Sequence, residues 1–141
     1  MSVLQDIALA IKAVGDTVAG LTTYPHETFA HGLRLPALTI GAVDIDRTEP
    51  LRPEIQLGTR DWDLTWALTL YVALDDPAVA YPAARDLLTL LISAFDSAET
   101  LGGLVEDGKV TRAESGVNDA DANRRLIVVE MDFECLALMP I

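Results

Sequence analysis

Residues 59–74 read Thr-Arg-Asp-Trp-Asp-Leu-Thr-Trp-Ala-Leu-Thr-Leu-Tyr-Val-Ala-Leu, and from Trp62 onward an apolar residue occupies every second position. A period of two is typical of a β-strand with one buried face. The stretch from Trp62 to Leu74 would span about 43 Å at roughly 3.3 Å per residue, which exceeds an ordinary strand of about 3–10 residues. We therefore expect a long strand that bends or extends past its own sheet to a neighbouring subunit.

The other segments give the order helix, strand, long loop, long strand, helix, strand, strand. Ser2 and Gln5 fit a capping box at the start of an amphipathic helix. Asp75, Asp76 and Pro77 mark a turn and a helix start. The predicted bounds are 2–20 and about 82–95 for the helices, 37–43, 59–74, 109–117 and 125–139 for the strands, and 44–58 for the loop.

This order favours the α+β class. We expect a four-stranded sheet, mainly antiparallel or mixed, with two helices packed on one face, because that arrangement buries every apolar stripe. The 141 residues fit one domain, which we take as 1–141.

Composition excludes several classes of function. Half of the residues are apolar, so the chain can bury a sizeable core. The formal net charge of −12 disfavours contact with nucleic acid phosphates and anionic membranes. No apolar stretch approaches the roughly 20 residues that span a bilayer, and no secretory leader is expected. We expect an acidic protein, soluble and made in the cytoplasm.

Three motifs that could carry chemistry are incomplete. His26 and His31 are one residue too far apart for the zinc helix His-Glu-x-x-His. Cys135 falls on the apolar face of a strand, where a thiol acts as a small hydrophobe, and as the single cysteine it forms no internal disulfide. A calcium-loop pattern has Arg124 where the turn needs glycine; its matching positions are Asp119, Asp121, Asn123 and Glu130. We therefore predict no metal and no cofactor.

Two sets of carboxylates stand at a spacing of two, which places each set on one face of a strand. They are Asp61 with Asp63, and Glu130 with Asp132 and Glu134. Such a set can act as acid and base in catalysis if burial separates the pKa values. It can also be a solvated surface, or it can line a channel through which nucleic acid slides without binding. The sequence leaves the last two readings open.

The order and length of the elements resemble the tail terminator, or minor tail, proteins of long-tailed phages. The resemblance rests on residues 2–20, Pro36-Ala-Leu-Thr-Ile40, the alternating stretch 61–72, Ala84-Arg-Asp-Leu-Leu88 and the closing strand 125–133. It lies in pattern and length over nearly the whole chain, without a diagnostic motif.

The resemblance implies a small α/β domain that assembles as a hexameric ring on the finished tail tube. Such a ring stops tube growth and contacts the head connector, so the partners implied are further copies of the chain, the tail tube protein and the head–tail connector. The protein would be located in the virion, at the tail–neck junction. DNA would pass through the ring without specific binding.

The long loop 44–58 is the predicted contact with a subunit or the tube. Loops of this length in compact domains are usually functional or disordered, and exposed apolar residues often await a partner. The resemblance implies that the loop is mobile in the free subunit and ordered in the ring. The candidate interface residues are Arg47, Leu51, Arg52, Ile55, Leu57 and Arg60.

Other functions stay open at this stage. A neck or head-completion protein, or a tail tube subunit, shares this size and pattern. From another class, a small α+β enzyme or ligand-binding domain would be indicated by an ordered pocket with converging polar groups. Six-fold association would favour the ring protein.

Overall fold

The computed structural model describes residues 2–27, 32–47, 59–121 and 124–140. The helices are α1 (Val3–Asp16) and α2 (Pro77–Ser97), with a short 3₁₀ turn at Leu101–Gly103. The strands are β1 (Thr22–Tyr24), β2 (Ala37–Arg47), β3 (Thr59–Ala73), β4 (Glu106–Asp121) and β5 (Arg124–Pro140). They form one sheet in the order β1-β2-β3-β5-β4, in which β1 and β2 are parallel and all other neighbours are antiparallel.

The β3–β5 pair is the centre of the sheet and carries most of its core. The two strands pair without a register shift from Thr59 opposite Pro140 to Ala73 opposite Leu126. Trp66 lies opposite Phe133, and both are buried. The predicted alternation of β3 is therefore confirmed, with Leu64, Trp66, Leu68, Leu70 and Val72 buried on one face and Trp62 half-buried beside them.

Both helices contribute to the hydrophobic cluster on this face of the sheet. Ile7 and Ile11 of α1 and Leu91 and Phe95 of α2 are fully buried in it. The rings of Phe95 and Phe133 are 4.9 Å apart between centroids and tilted by 43°, an arrangement that aromatic pairs favour. The prediction of an α+β fold with two helices over one face of a mixed sheet is confirmed.

The sheet has five strands, so the predicted number of four is wrong. The additional strand, β1, lies in the segment 21–36 that was interpreted as a connector. It is three residues long and pairs in parallel with the first three residues of β2, Thr22 opposite Ala37. So short a strand exists because β2 supplies its hydrogen bonds, and its own sequence carries no alternation to detect.

Several element bounds also differ from the prediction. β2 continues through residues 44–47, which were assigned to the long loop, because these residues pair with Trp62 to Thr65 of β3. α2 begins at Pro77, where the Asp76 carboxylate accepts a hydrogen bond from the Ala78 N–H, and it runs through Pro82. α1 ends at Asp16, although a positive φ of 80° does occur at Gly20. The Ser2 hydroxyl caps α1 as predicted, 3.1 Å from Gln5 N.

The length of α2 corrects one further expectation. The helix has 21 residues, and its most apolar window has a mean hydropathy of 1.3, so by length and composition alone it could cross a membrane. The prediction that no apolar stretch approaches that length is therefore wrong. In this fold α2 buries Leu91 and Phe95 against the sheet, as an amphipathic core helix does.

Candidate functional site on the open face of the sheet

The face of the sheet opposite the helices carries a cluster of carboxylates spread over four strands. In an antiparallel pair, residues directly opposite each other project to the same face. The register therefore aligns Asp44, Thr65, Glu134 and Lys109 in one row across β2, β3, β5 and β4. Neighbouring rows add further acids. We call the set the acidic face, and its members are Asp44, Asp46, Asp63, Glu114, Glu130, Asp132 and Glu134.

The structure brings together the acids that the spacing singled out. Glu130, Asp132 and Glu134 lie on β5, and Asp63 lies on β3 opposite Leu136, one row from Glu134. All four project away from the helices, and Asp63, Glu130 and Glu134 are exposed while Asp132 is half-buried. The backbone of Asp61 belongs to β3, but its side chain is outside the described residues.

Sequence reasoning missed three members of the acidic face. Asp44 and Asp46 were assigned to the loop, although their alternation with Val43 and Ile45 is a strand signal. Glu114 was not singled out, because a lone carboxylate in a predicted strand has no distinguishing spacing. It lies directly opposite Glu130 and pairs with the Arg112 guanidinium at 2.5 Å.

Among the side chains that the structure describes, the cations paired with the acids across strands lie on one edge strand. Lys109 and Arg112 both belong to β4, opposite Glu134 and Asp132 of β5. The described central part of the face, on β3 and β5, carries acids, threonines and apolar residues. The negative charge is therefore densest at the middle of the face and at the β2 edge.

A shallow depression of about 450 Å³ lies on this face, with Asp46, Asp63, Thr65 and Glu134 among the residues around it. Within the described ranges, no group of three His, Cys, Asp or Glu residues is arranged to hold a metal ion. Neighbouring exposed carboxylates repel anions over about 8–10 Å at physiological salt. The arrangement is thus suited to keeping a polyanion at a distance.

The other end of the open face is covered by the segment that leads into β2. Leu33, Ala37, Thr39 and Leu126 are buried although they are outside the helix-covered core. The Tyr24 hydroxyl accepts a hydrogen bond of 2.9 Å from the Arg34 N–H. On β2 and β3 the acids therefore lie toward the end near the β2–β3 connection, whereas Glu130 on β5 and Glu114 on β4 share a row with Thr39.

Tyr71 marks the boundary between the covered end and the acidic face. Its pKa is raised above the usual 10.0, first because burial disfavours the charged phenolate, and then because the negative charge of Glu27 lies nearby. Glu130 shifts the pKa in the same direction. The field of the acidic face thus reaches a half-buried side chain at its border.

The two predicted interface residues that the structure describes, Arg47 and Arg60, lie at the β2–β3 end of the molecule. Arg47 is in a strand rather than a loop, and its guanidinium carbon lies 5.2 Å from the centroid of the Trp62 ring, within range of a cation–π contact. Arg60 is in β3, with its side chain outside the described residues. Leu51, Arg52, Ile55 and Leu57 fall outside the described residues altogether.

In the residues that the structure describes, the remaining motifs form neither a metal site nor an activated nucleophile. His26 Nδ1 lies 3.0 Å from the Glu27 carbonyl oxygen, and His31 is outside the described residues. Asp119 and Asp121 are in β4, so the calcium-like pattern belongs to a β-hairpin. Burial raises the pKa of the Cys135 thiol to about 12, so this thiol is not activated.

These features define a protein with an apolar, helix-covered sheet face and an acidic open face. A comparison with protein-family models and with curated proteins finds no match to the chain.

Proposed function

We propose that the protein is a structural virion assembly protein: a tail terminator whose copies form a hexameric ring that caps the tail tube and joins it to the head connector. The observation that carries this proposal is the acidic face, on which carboxylates from four strands stand on one side of a single sheet. Copies arranged around an axis with this face inward would enclose an acidic channel.

An acidic channel suits the passage of DNA. Lys and Arg contacts to phosphates hold DNA by releasing counterions, and each contact adds a salt-dependent attraction. Carboxylates repel the same phosphates, and only those within about 8–10 Å of the DNA act at physiological salt. Asp63, Glu130 and Glu134 are exposed on the strands at the middle of the face, where such a channel wall would lie.

The two ends of the molecule suit two different partners. At the β2–β3 end, Arg47 and the exposed Ile45 lead into residues 48–58, which we assign to the contact with a neighbouring subunit or the tail tube protein. The opposite end carries Asp75, Asp76 and the β4–β5 connection, and we assign it to the head–tail connector. The protein then acts at the tail–neck junction of the virion after synthesis in the host cytoplasm.

The proposal includes no catalysis, no cofactor, no membrane and no specific nucleic acid binding. Its support is the geometry of the described carboxylates, which project outward from the strands on the open face. Tail tube and neck proteins would need a similar channel face, so tail length is the property that separates these roles.

Charge reversal tests the channel. Glu130, Asp132 and Glu134 are changed together to Lys, and the matched control changes Asp86, Asp96 and Glu99 to Lys, because these three exposed acids lie outside the sheet. Both variants should form rings and tails. Only the acidic-face variant should deliver DNA slowly and bind DNA in a salt-sensitive way. Normal delivery without new DNA affinity would place these residues off the channel.

Loss of the protein tests the terminator role. Without it, its virus should produce tubes of unregulated length and heads that lack tails, as seen by electron microscopy. A tube subunit would instead leave no tubes at all. Particles with tails of normal length would overturn the proposal.

A further inference from the structure

The sheet has an open edge on each side. At one edge, β1 pairs with Ala37, Leu38 and Thr39 of β2, and no described strand pairs with the same side of residues 41–47. At the other edge is β4, whose outer side has no described partner strand. Unpaired edges of this kind present free N–H and C=O groups to another strand.

The direction of the strands makes the two edges compatible. β2 is antiparallel to β3, β3 to β5, and β5 to β4, so β2 and β4 run in opposite directions. A second copy rotated about an axis along the strands keeps these directions. Its β2 would therefore meet β4 of the first copy in an antiparallel pair, with the two open faces on the same side.

One row across the sheet carries charges of opposite sign at its two edges. The row that begins with Asp44 on β2 ends with Lys109 on β4, after Thr65 and Glu134. Rotation of a copy into the neighbouring position therefore places Lys109 next to Asp44 at the same height along the strands. A shift by one row would place Arg112 near Asp44 instead, so both registers pair a cation with an acid.

We propose that β4 of one copy pairs with residues 41–47 of β2 in the next copy, and that Lys109 there faces Asp44. This inference deepens the proposed function and rests on it for the closure of the ring. The pairing joins the acidic faces of adjacent copies into one continuous surface. It also places the Lys109 cation beside Asp44, which lowers the negative charge at the β2 edge and leaves the middle of the face negative.

The fold limits where the incoming strand can lie. β1 pairs with β2 as far as Thr39. A Cβ placed on Gly41 would lie 3.2 Å from Glu27 Cδ, so the Glu27 side chain blocks that end of the β2 edge. The pairing is therefore restricted to about seven residues. Cross-strand charge pairs of this type change an affinity only about 2- to 5-fold each, so we expect association at high protein concentration.

A charge-swap experiment tests the pairing. Asp44→Lys and Lys109→Asp are made singly and together, with Asp86→Lys on α2 as a control for net charge, and association is followed by sedimentation velocity. Each single change should weaken association severalfold, and the double variant should restore it because the pair is reversed across the interface. Equal association of all variants, or no recovery in the double variant, would overturn the pairing.

A disulfide experiment locates the contact directly. Within one chain, Asp44 and Lys109 are separated by β3 and β5, so their backbones are about 14 Å apart at roughly 4.8 Å per strand. A disulfide needs Cα atoms closer than about 7 Å, so Asp44→Cys with Lys109→Cys can be oxidised only between copies. In a Cys135→Ser background, oxidation should give a ladder of disulfide-linked oligomers that ends at the closed ring. The control pair, Asp86→Cys with Lys109→Cys, should give no such ladder.

The two proposals fail in different ways. If rings form but the cysteine pair gives no disulfide-linked ladder, the proposed β2–β4 interface is wrong and the terminator proposal stands. A ladder that forms while the acidic-face variant delivers DNA normally would keep the interface and remove the channel. Protein that forms neither oligomer nor ladder on oxidation at high concentration would overturn the pairing.

Discussion

The two faces of the β3–β5 pair differ in what constrains them. On the helix side, opposite residues are buried apolar pairs such as Trp66 with Phe133 and Leu68 with Met131. On the open side, Thr65 lies opposite Glu134, and Thr69 lies opposite Glu130. The same backbone supports both, because successive side chains point to opposite faces of a strand.

The difference separates residues that hold the fold from residues that are free to serve a function. A buried aromatic side chain contributes through the area it removes from water and the contacts it makes. An exposed carboxylate contributes little, and Glu114 opposite Glu130 is even a like-charge pair across two strands. Acids kept together at some cost on one face indicate a requirement other than folding.

Truncation of a core-face residue is the largest expected effect. Phe133→Ala removes a fully buried ring that packs against Phe95, and it should lower the free energy of unfolding by about 3–5 kcal/mol. The neighbouring Glu134→Ala on the open face should change it by less than about 0.5 kcal/mol. Chemical denaturation of both variants measures this contrast, and similar losses for the two would show that the faces are not distinct.

Substitutions at two glycines of β4 test the difference between the two faces of the sheet without changing the charge. A Cβ at Gly108 would lie 2.7 Å from Phe133 Cζ and 2.7 Å from the Glu99 carbonyl oxygen, whereas a Cβ at Gly116 meets nothing within 4 Å. Gly108→Ala should therefore destabilise the protein by about 1–3 kcal/mol through overpacking. Gly116→Ala should be neutral or stabilising by up to about 1 kcal/mol, since it restricts the unfolded chain.

Thermal unfolding of the two alanine variants provides the measurement. A loss at Gly116 as large as at Gly108 would mean that the open face beside Gly116 is already packed in the isolated protein.

Charge reversals on the open face should have small effects of opposite sign. Glu130→Lys replaces a like-charge pair with Glu114 by an opposite-charge pair and should stabilise the protein by about 0.2–1 kcal/mol. Glu134→Lys does the reverse against Lys109 and should destabilise it by a similar amount. Both differences should shrink as salt is added; two changes of the same sign, or differences that persist at high salt, would contradict the register.

The smallest effect concerns the Cys135 thiol on the helix side. Its pKa of about 12 exceeds the ordinary value of 9.0 because burial disfavours the thiolate. The unfolded chain ionises this thiol at lower pH than the native protein, so its contribution to stability is lost as the pH rises above about 9. A thiol reagent at pH 8 should react only after denaturation, and fast reaction of the native protein would place Cys135 at the surface.

The elements predicted best from the sequence are those with a regular pattern of their own. The alternation in β3, and the alternation of Met131 and Phe133 with acids in β5, identifies both the strand and its buried face before any partner is known. The Ser2 cap and the apolar stripe of α1 do the same for the first helix. The same alternation also predicted that Asp63, Glu130, Asp132 and Glu134 project away from the core.

The elements that were missed depend on partners far away in the sequence. β1 is held by β2, and residues 44–47 of β2 are held by β3, although both sides of that segment are largely exposed. The charged residues there suggested a loop and outweighed the short alternation of Val43 and Ile45 with acids. Pro82 similarly displaced the predicted start of α2, since a proline inside a helix lacks its N–H donor.

The central claim is that the acidic face lines a channel in a ring. A density map from electron microscopy of the protein at the ends of tails, at a resolution that shows strands, tests it most directly. We expect a closed ring in which the strands surround the axis, with Asp63, Glu130 and Glu134 directed toward the channel and α1 and α2 on the outside. A ring with its helices lining the channel, or tail ends without this protein, would contradict it.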